Sequence, residues 1–179
     1  TGVQTCALPI YRMSVLSGIK ESVQQVAEAI SIAVGLEVEI VDNRLRILGG
    51  TGYYHGRIGK KEEDGNLEGN YLYARVLRTG KTQYVEDAQN FKGYDQPVVG
   101  NTRLGELAEI CTPIVLKGEI IGIIGLVAFT EDQKHIIKDK RESMTVFVEK
   151  MADLLSAKAD QQETLENVEV SRDEMSIVL

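Results

Sequence analysis

The stretch EICTPIVLKGEIIGIIGLVA, residues 109–128, decides the fold. It divides at Lys117-Gly118, a pair suited to a tight turn, so Glu109–Leu116 and Glu119–Ala128 are expected to form a β-hairpin. The second strand is apolar on both faces. Ile121, Ile123, Val127 and Phe129 fall on one side, and Ile124, Leu126 and Ala128 on the other. A strand of that kind sits in the middle of a sheet covered on both sides. On the first strand, Cys111 shares a face with Glu109, Pro113 and Val115.

Beyond the hairpin, Thr130 can cap a helix, and Gln133 three residues later completes a capping box. A heptad then runs to the end. Its a and d positions are Ile137, Lys140, Met144, Phe147, Met151, Leu154, Lys158, Gln161, Leu165, Val168, Arg172, Met175 and Leu179. No glycine or proline interrupts Glu131 to Leu179, which predicts one long coiled-coil helix, weakest where Lys158 and Gln161 occupy the seam.

Before the hairpin, Leu16, Ile19, Val23, Val26, Ile30 and Ala33 repeat every three or four residues, the stripe of a helix over Ser14–Val34 that Gly35 ends. Leu36–Val41 alternates with Glu37 and Glu39, as a half-buried strand does, and Leu45–Leu48 is its partner across the turn at Asp42-Asn43-Arg44. Gly49–Gly59 is glycine-dense, and Lys60–Gly65 reads as a charged, solvated loop. Leu67–Thr79 predicts a short helix closed by Gly80, and Gln83–Glu86 a short strand. Asp87–Glu106 reads as a long loop with a broken helix, and loops of that length inside a domain are usually functional. The whole predicts an α+β fold: an antiparallel sheet with the N- and C-terminal helices on one face and ligand-facing loops on the other.

Composition excludes several classes. Residues Thr1–Ile10, TGVQTCALPI, back-translate to a sequencing-adapter string and are expected to pack against nothing. The formal net charge is −7 and no Lys/Arg run exceeds two residues, so the basic stripe that nucleic-acid binding needs is missing. With Cys6 inside the scar, Cys111 stands alone, which rules out an intrachain disulfide and fits a reducing, cytoplasmic setting. The longest apolar run, Ile120–Phe129, is too short to cross a membrane.

Two segments carry a resemblance. Val76-Leu77-Arg78-Thr79-Gly80-Lys81 leads into Tyr84-Val85-Glu86-Asp87, and Ile110-Cys111-Thr112-Pro113-Ile114 leads into Gly118-Glu119-Ile120-Ile121-Gly122-Ile123-Ile124-Gly125. Together they resemble the GAF domain family over roughly residues 14–155. A narrower resemblance, in the strings Leu77-Arg78-Thr79-Gly80 and Ala128-Phe129-Thr130-Glu131-Asp132-Gln133-Lys134, is to the N-terminal sensor domains of sigma-54-dependent transcriptional activators. It implies a sensor at 14–155, a signalling helix at 156–179 leading to an output domain, and a small-molecule effector. The two apolar stripes Leu16–Ala33 and Ile137–Leu154 are one more than covering a sheet needs, and the surplus predicts a parallel homodimer through them.

A sensor pocket needs a few polar groups in an apolar lining. The candidates are Tyr53 and Tyr54 to stack on a ring, Arg57 to pair with an anionic ligand, Tyr94 to close over it, and Glu109 with Cys111 as the floor. Phosphate loops are excluded, because position 54 is Tyr and position 61 is Lys, and His55 breaks the dinucleotide-binding glycine pattern. His55 and His135 have no metal spacing, so no metal, cofactor or catalytic residue is expected. Two other readings remain open: a Cys111-centred redox sensor or GAF-type methionine sulfoxide reductase, and a pure dimerisation module.

Overall fold

A computed structural model describes residues 14–177 apart from 94, 96, 97, 100, 101 and 104; the segment Thr1–Ile10 and Tyr94 lie outside the described residues. After a 3-10 turn at Val15–Ile19 come helix α1 (Lys20–Val34), strands β1 (Glu37–Asp42) and β2 (Ile47–Gly50), helix α2 (Leu72–Thr79) and strand β3 (Gln83–Val85). The short strands β4 (Val98–Val99) and β5 (Thr102–Arg103) pair with each other inside the long loop. Then follow β6 (Ala108–Leu116), β7 (Glu119–Ala128), α3 (Glu131–Asp139) and α4 (Arg141–Ile177).

The main sheet has the order β2-β1-β7-β6-β3 and every pairing is antiparallel. The doubly apolar strand β7 is its centre, as the sequence requires. The hairpin turns at Lys117 and Gly118, both at positive φ (51° and 84°), which matches the twist of the strands it joins. Asp42 holds the β1–β2 turn by accepting from the N–H groups of Arg44 and Arg46.

Helix α1, α3 and α4 share one face. Leu16, Ile19, Val23, Ala27 and Ile30 pack with Ile137, Val148, Ala152, Leu155 and Ala159 over Val38, Ile40, Ile110, Ile114, Ile124 and Leu126. The opposite face is not left to loops alone. Helix α2 lies on it through Leu72, Tyr73 and Val76, against Val41, Cys111 and Ile123. Gly35 and Gly80, both left-handed, end α1 and α2 with their N–H groups bonded to the carbonyls of Ser31 and Val76.

Two sequence expectations change. The alternation along β7 breaks at a bulge: Ile114 pairs with Gly122 and Val115 with Ile120, so Ile121 is passed over and turns to the helix face, away from Ile123. The C-terminal helix is also not continuous. The capping box at Thr130 and Gln133 forms, but the helix stops at Lys140 (φ −115°, ψ 24°) and α4 starts afresh. A straight continuation would carry the seam residue Lys140 toward the sheet; the break leaves it exposed while Ile137 and Val148 are both buried. The buried face of α4 is Val148, Ala152, Leu155 and Ala159, with Met144, Phe147 and Met151 at its flank and Leu154 exposed.

Candidate functional site

Across the middle of the sheet, Glu39 of β1, Gly125 of β7 and Cys111 of β6 stand in one register row, so they share a face, and Glu109 lies on it two residues from Cys111. This is the α2 face. Tyr73 descends from α2 onto Gly125, where a Cβ would collide with its hydroxyl and press on Glu109. Glycine there is what lets a phenol reach the sheet.

Two wall segments complete the site. The 3-10 turn Gly52–Arg57 buries Tyr54, whose hydroxyl donates to Glu106 Oε1 at 2.5 Å. The chain then runs along the outer edge of β2: Gly59 N–H donates to the Ile47 carbonyl, and Glu62 N–H to the Leu45 carbonyl. That edge pairing turns Glu62 and Glu63 inward. Glu63 caps α2 by accepting from the N–H groups of Tyr73 (2.8 Å) and Ala74 (3.1 Å). Glu63, Asp64 and Gly65 are all left-handed (φ 50°, 53° and 71°), a conformation that costs free energy at the two non-glycine positions.

Five carboxyls therefore converge in the interior: Glu39, Glu62, Glu63, Glu106 and Glu109 are each no more than 9 % exposed. Glu39, Glu62, Glu63, Glu106, Glu109, Tyr73 and Leu72 enclose a cavity with room for about one water molecule. Burial is the main cause of the electrostatics, since it penalises the charged form. It drives Glu39 and Glu109 well above the usual carboxylate range, Glu63 up to about 8 and Glu106 to about 7. Glu62 also rises by burial, although Arg57 opposes the shift at 2.8 Å. The Tyr73 hydroxyl bonds to the carboxyls of both Glu39 and Glu109, which opposes the rise that burial imposes on them.

The candidates from sequence are distributed unevenly. Tyr54 and Glu109 are in the interior, and Cys111 is fully buried beside them. Burial, then the neighbouring Glu109, pushes the Cys111 thiol up, the opposite of what a reactive thiolate needs. Tyr53 is on the outer rim, 41 % exposed, edge-on to Tyr54 and beside Phe129. Arg57 is also at the rim, 5.7 Å from the Tyr53 ring, and its guanidinium faces Glu62 of the same chain. Glu39, Glu62, Glu63, Tyr73 and Glu106 escaped the sequence reading, and the charged loop expected at Lys60–Gly65 is in fact half interior. One signal was available: β1 neighbours a strand apolar on both faces, so its alternate glutamates had to be covered too. Among the described residues no group of three His, Cys, Asp or Glu is arranged to hold a metal ion, and no helix is long and apolar enough to cross a membrane.

Comparison with known proteins adds the following. The GAF domain pattern matches residues 17–155. UacR of Escherichia coli (strain K12), named as a uric acid sigma-54-dependent transcriptional regulator, is 31% identical over 146 residues. The match takes in 77% of this chain, which spans about a quarter (24%) of that protein's length. Among solved structures, the GAF domain of a phosphoenolpyruvate-protein phosphotransferase from Coxiella burnetii aligns with a TM-score of 0.61 at 14% identity, covering 88% of this chain and 89% of that one. A type II free methionine-R-sulfoxide reductase from Thermoplasma acidophilum aligns with 0.58 at 17% identity, covering 82% and 96%. Likeness at that identity speaks for the fold alone, and the fold hosts both regulators and reductases. The pattern match, which spans most of the chain, and the regulator relative agree: this chain belongs to the GAF domain family.

Proposed function

We propose that the chain is the effector-sensing domain of a cytoplasmic sigma-54-dependent transcriptional regulator, and that its small molecule enters between the α2 face of the sheet and the Gly52–Gly65 wall. The observation that carries this is the buried set of carboxyls and phenols inside a domain related to a regulator. A close-packed core has no use for such groups, because each costs free energy to bury. Uric acid, named in the E. coli relative, is flat and rich in N–H groups, and is the first defined compound to try.

A route outward supports the reading. Strand β6 carries Glu109 and Cys111 on the site face and Ile110 and Thr112 on the other. Thr112 shares a 2.8 Å hydrogen bond with Thr82, whose hydroxyl donates to Glu149 of α4 at 2.7 Å. Ser156 of α4 donates to the Val115 carbonyl at 2.6 Å. A shift in β6 is thus felt by α4, and residues 156–179 act as the signalling linker. The homodimer expected through Leu16–Ala33 and Ile137–Leu154 needs another surface, because Leu16, Ile19, Val23, Ile30, Ile137 and Val148 are buried in the domain's own core; the exposed Leu165, Val168 and Met175 pair with a second copy instead. The redox alternative lacks an accessible, acidified thiol. In the test, a bacterial metabolite extract is added to the purified domain and thermal unfolding is followed. A rise in Tm of several degrees is expected; no rise with any chromatographic fraction of the extract would sink the sensor reading.

A further inference from the structure

We propose that residues 57–65 are a strap fastened over the α2 face by a chain of hydrogen bonds that needs two carboxylic protons, so that a rise in pH lifts it. The device needs no ligand and can be tested apart from the sensing role. The chain crosses from the strap to the far side of the sheet. Arg57 pairs with Glu62 at 2.8 Å. The Glu62 carboxyl bonds to that of Glu39 on β1. Glu39 bonds in turn to the Tyr73 hydroxyl, and the same hydroxyl bonds to Glu109 on β6.

The hydrogen count decides the chemistry. An ionised carboxylate can only accept, and a phenol has one hydrogen to donate. Three bonds link Glu62, Glu39, Tyr73 and Glu109, and Tyr73 supplies the hydrogen of one. The other two hydrogens come from carboxyls, whichever of the three hold them. With Glu62 ionised against Arg57, Glu109 donates to Tyr73, Tyr73 to Glu39, and Glu39 to Glu62. Burial is the first cause that keeps protons on Glu39 and Glu109. Loss of either proton leaves two acceptors facing each other away from water, which costs free energy both as an unmade bond and as added charge in the interior.

The strap is the part that can yield. Glu39 and Glu109 belong to paired strands. The strap meets the sheet along the β2 edge, where Gly59 and Glu62 donate to the Ile47 and Leu45 carbonyls and Ile47 donates to that of Lys60. Glu63 and Asp64 are held left-handed, at a cost. The surrounding charges favour lifting. Burial puts Glu63 up to about 8, with Glu62 and Glu106 adding to it, and puts Glu106, which accepts from Tyr54, at about 7. Asp64 raises Glu62 further, and the buried thiol of Cys111 beside Glu109 brings no cation. Arg57 alone opposes this from inside the strap: Arg46 donates to the Gly59 carbonyl, Lys61 lies along Gly65, and Lys60 is exposed. A lifted strap returns Glu62 and Glu63 to water and to the ordinary value of 4.5. Closure therefore holds protons that opening releases; it is complete at low pH and is lost as pH rises through 7 and 8. Glu63 also caps α2 through the N–H groups of Tyr73 and Ala74, so lifting the strap loosens the start of that helix.

The test is amide hydrogen exchange of the purified domain from about pH 5.5 to about pH 8, each rate divided by that of the unfolded chain at the same pH. The N–H groups of Gly59, Glu62, Tyr73 and Ala74 report on the strap, and those of the central strand β7 on global unfolding. Strap protection should be at least about tenfold below that of β7 and should fall about tenfold per pH unit. Glu39→Gln gives Glu62 an N–H in place of a carboxylic proton, and Glu109→Gln does the same for Tyr73. Each variant should protect the strap about tenfold better than the parent at about pH 8, with a shallower slope; Glu109→Gln carries this arm if Glu39→Gln fails to fold. Strap and β7 exchanging together at every pH, strap protection that is flat with pH, or glutamine variants that keep the parent's slope overturn the proposal.

Discussion

The two faces of the central sheet come from the same strands and have opposite contents. Along β6, Ile110 and Ile114 point one way, into an apolar layer with Leu16, Ile30, Val148 and Leu155. Glu109 and Cys111 point the other way, toward Glu39, Glu106 and Tyr73. Both faces are buried. On the helix face each side chain adds roughly 1.5–3 kcal/mol by leaving water. On the α2 face, burying each polar group costs free energy that its hydrogen bonds only partly return. Alternation in a strand thus lets one face hold the domain together while the other tolerates groups that weaken it, and a binding site can be kept only beside such a reserve.

The largest effect should come from the helix face. Leu126→Ala, at a side chain with no exposure, should cost about 2–5 kcal/mol in urea unfolding. A loss under about 1 kcal/mol would mean that the face is loosely packed and the contrast between faces is false.

The second effect is on pH. Glu106 at about 7 and Glu63 at about 8 hold their protons more tightly folded than unfolded, where 4.5 is the ordinary value. Their stabilisation is full below about pH 4.5 and is lost as pH rises through 7 and 8. Tm should therefore fall between pH 5 and pH 8. Glu106→Gln removes one contributor, so its stability relative to the parent should improve by on the order of 1–3 kcal/mol over that range. A pH-independent difference would show that Glu106 is already ionised in the folded interior.

The smallest effect lies outside both faces. Leu165 and Val168 are 54% and 60% exposed on α4. Changing both to Ser should move the unfolding free energy of the monomer by less than about 0.5 kcal/mol. The same double variant should weaken self-association in sedimentation; unchanged sedimentation would remove this stripe from any dimer.

The fold was legible where the signals were local. The Lys117-Gly118 turn, the Thr130/Gln133 cap and the helix-ending Gly35 and Gly80 are each decided by neighbours in sequence, and each forms. The break at Lys140 was not, because nothing in the local sequence forbids a helix there. The site divided in the same way. Tyr54 and Glu109 stood out for their setting in a glycine-rich turn and a core hairpin. Glu62 and Glu63 sit in the string Lys60-Lys61-Glu62-Glu63-Asp64, which reads as solvated. Only contacts with β2 and with the start of α2, ten or more residues away, turn them inward.

Helix α4 is 37 residues long, about 55 Å from end to end. Its first half is bolted to β6 through buried apolar side chains and the Thr82 and Ser156 bonds, whereas Thr164 to Asp173 is exposed throughout. Mechanically this is a lever with its fulcrum on the sheet. A tilt of about five degrees about the middle of the docked half shifts that half's ends by about 1 Å and carries the far end, about 40 Å away, through about 3.5 Å. The domain therefore needs no large rearrangement of its interior to be felt at a distance: the gain is set by the length of the arm, and shortening α4 by whole turns should reduce the stroke in proportion.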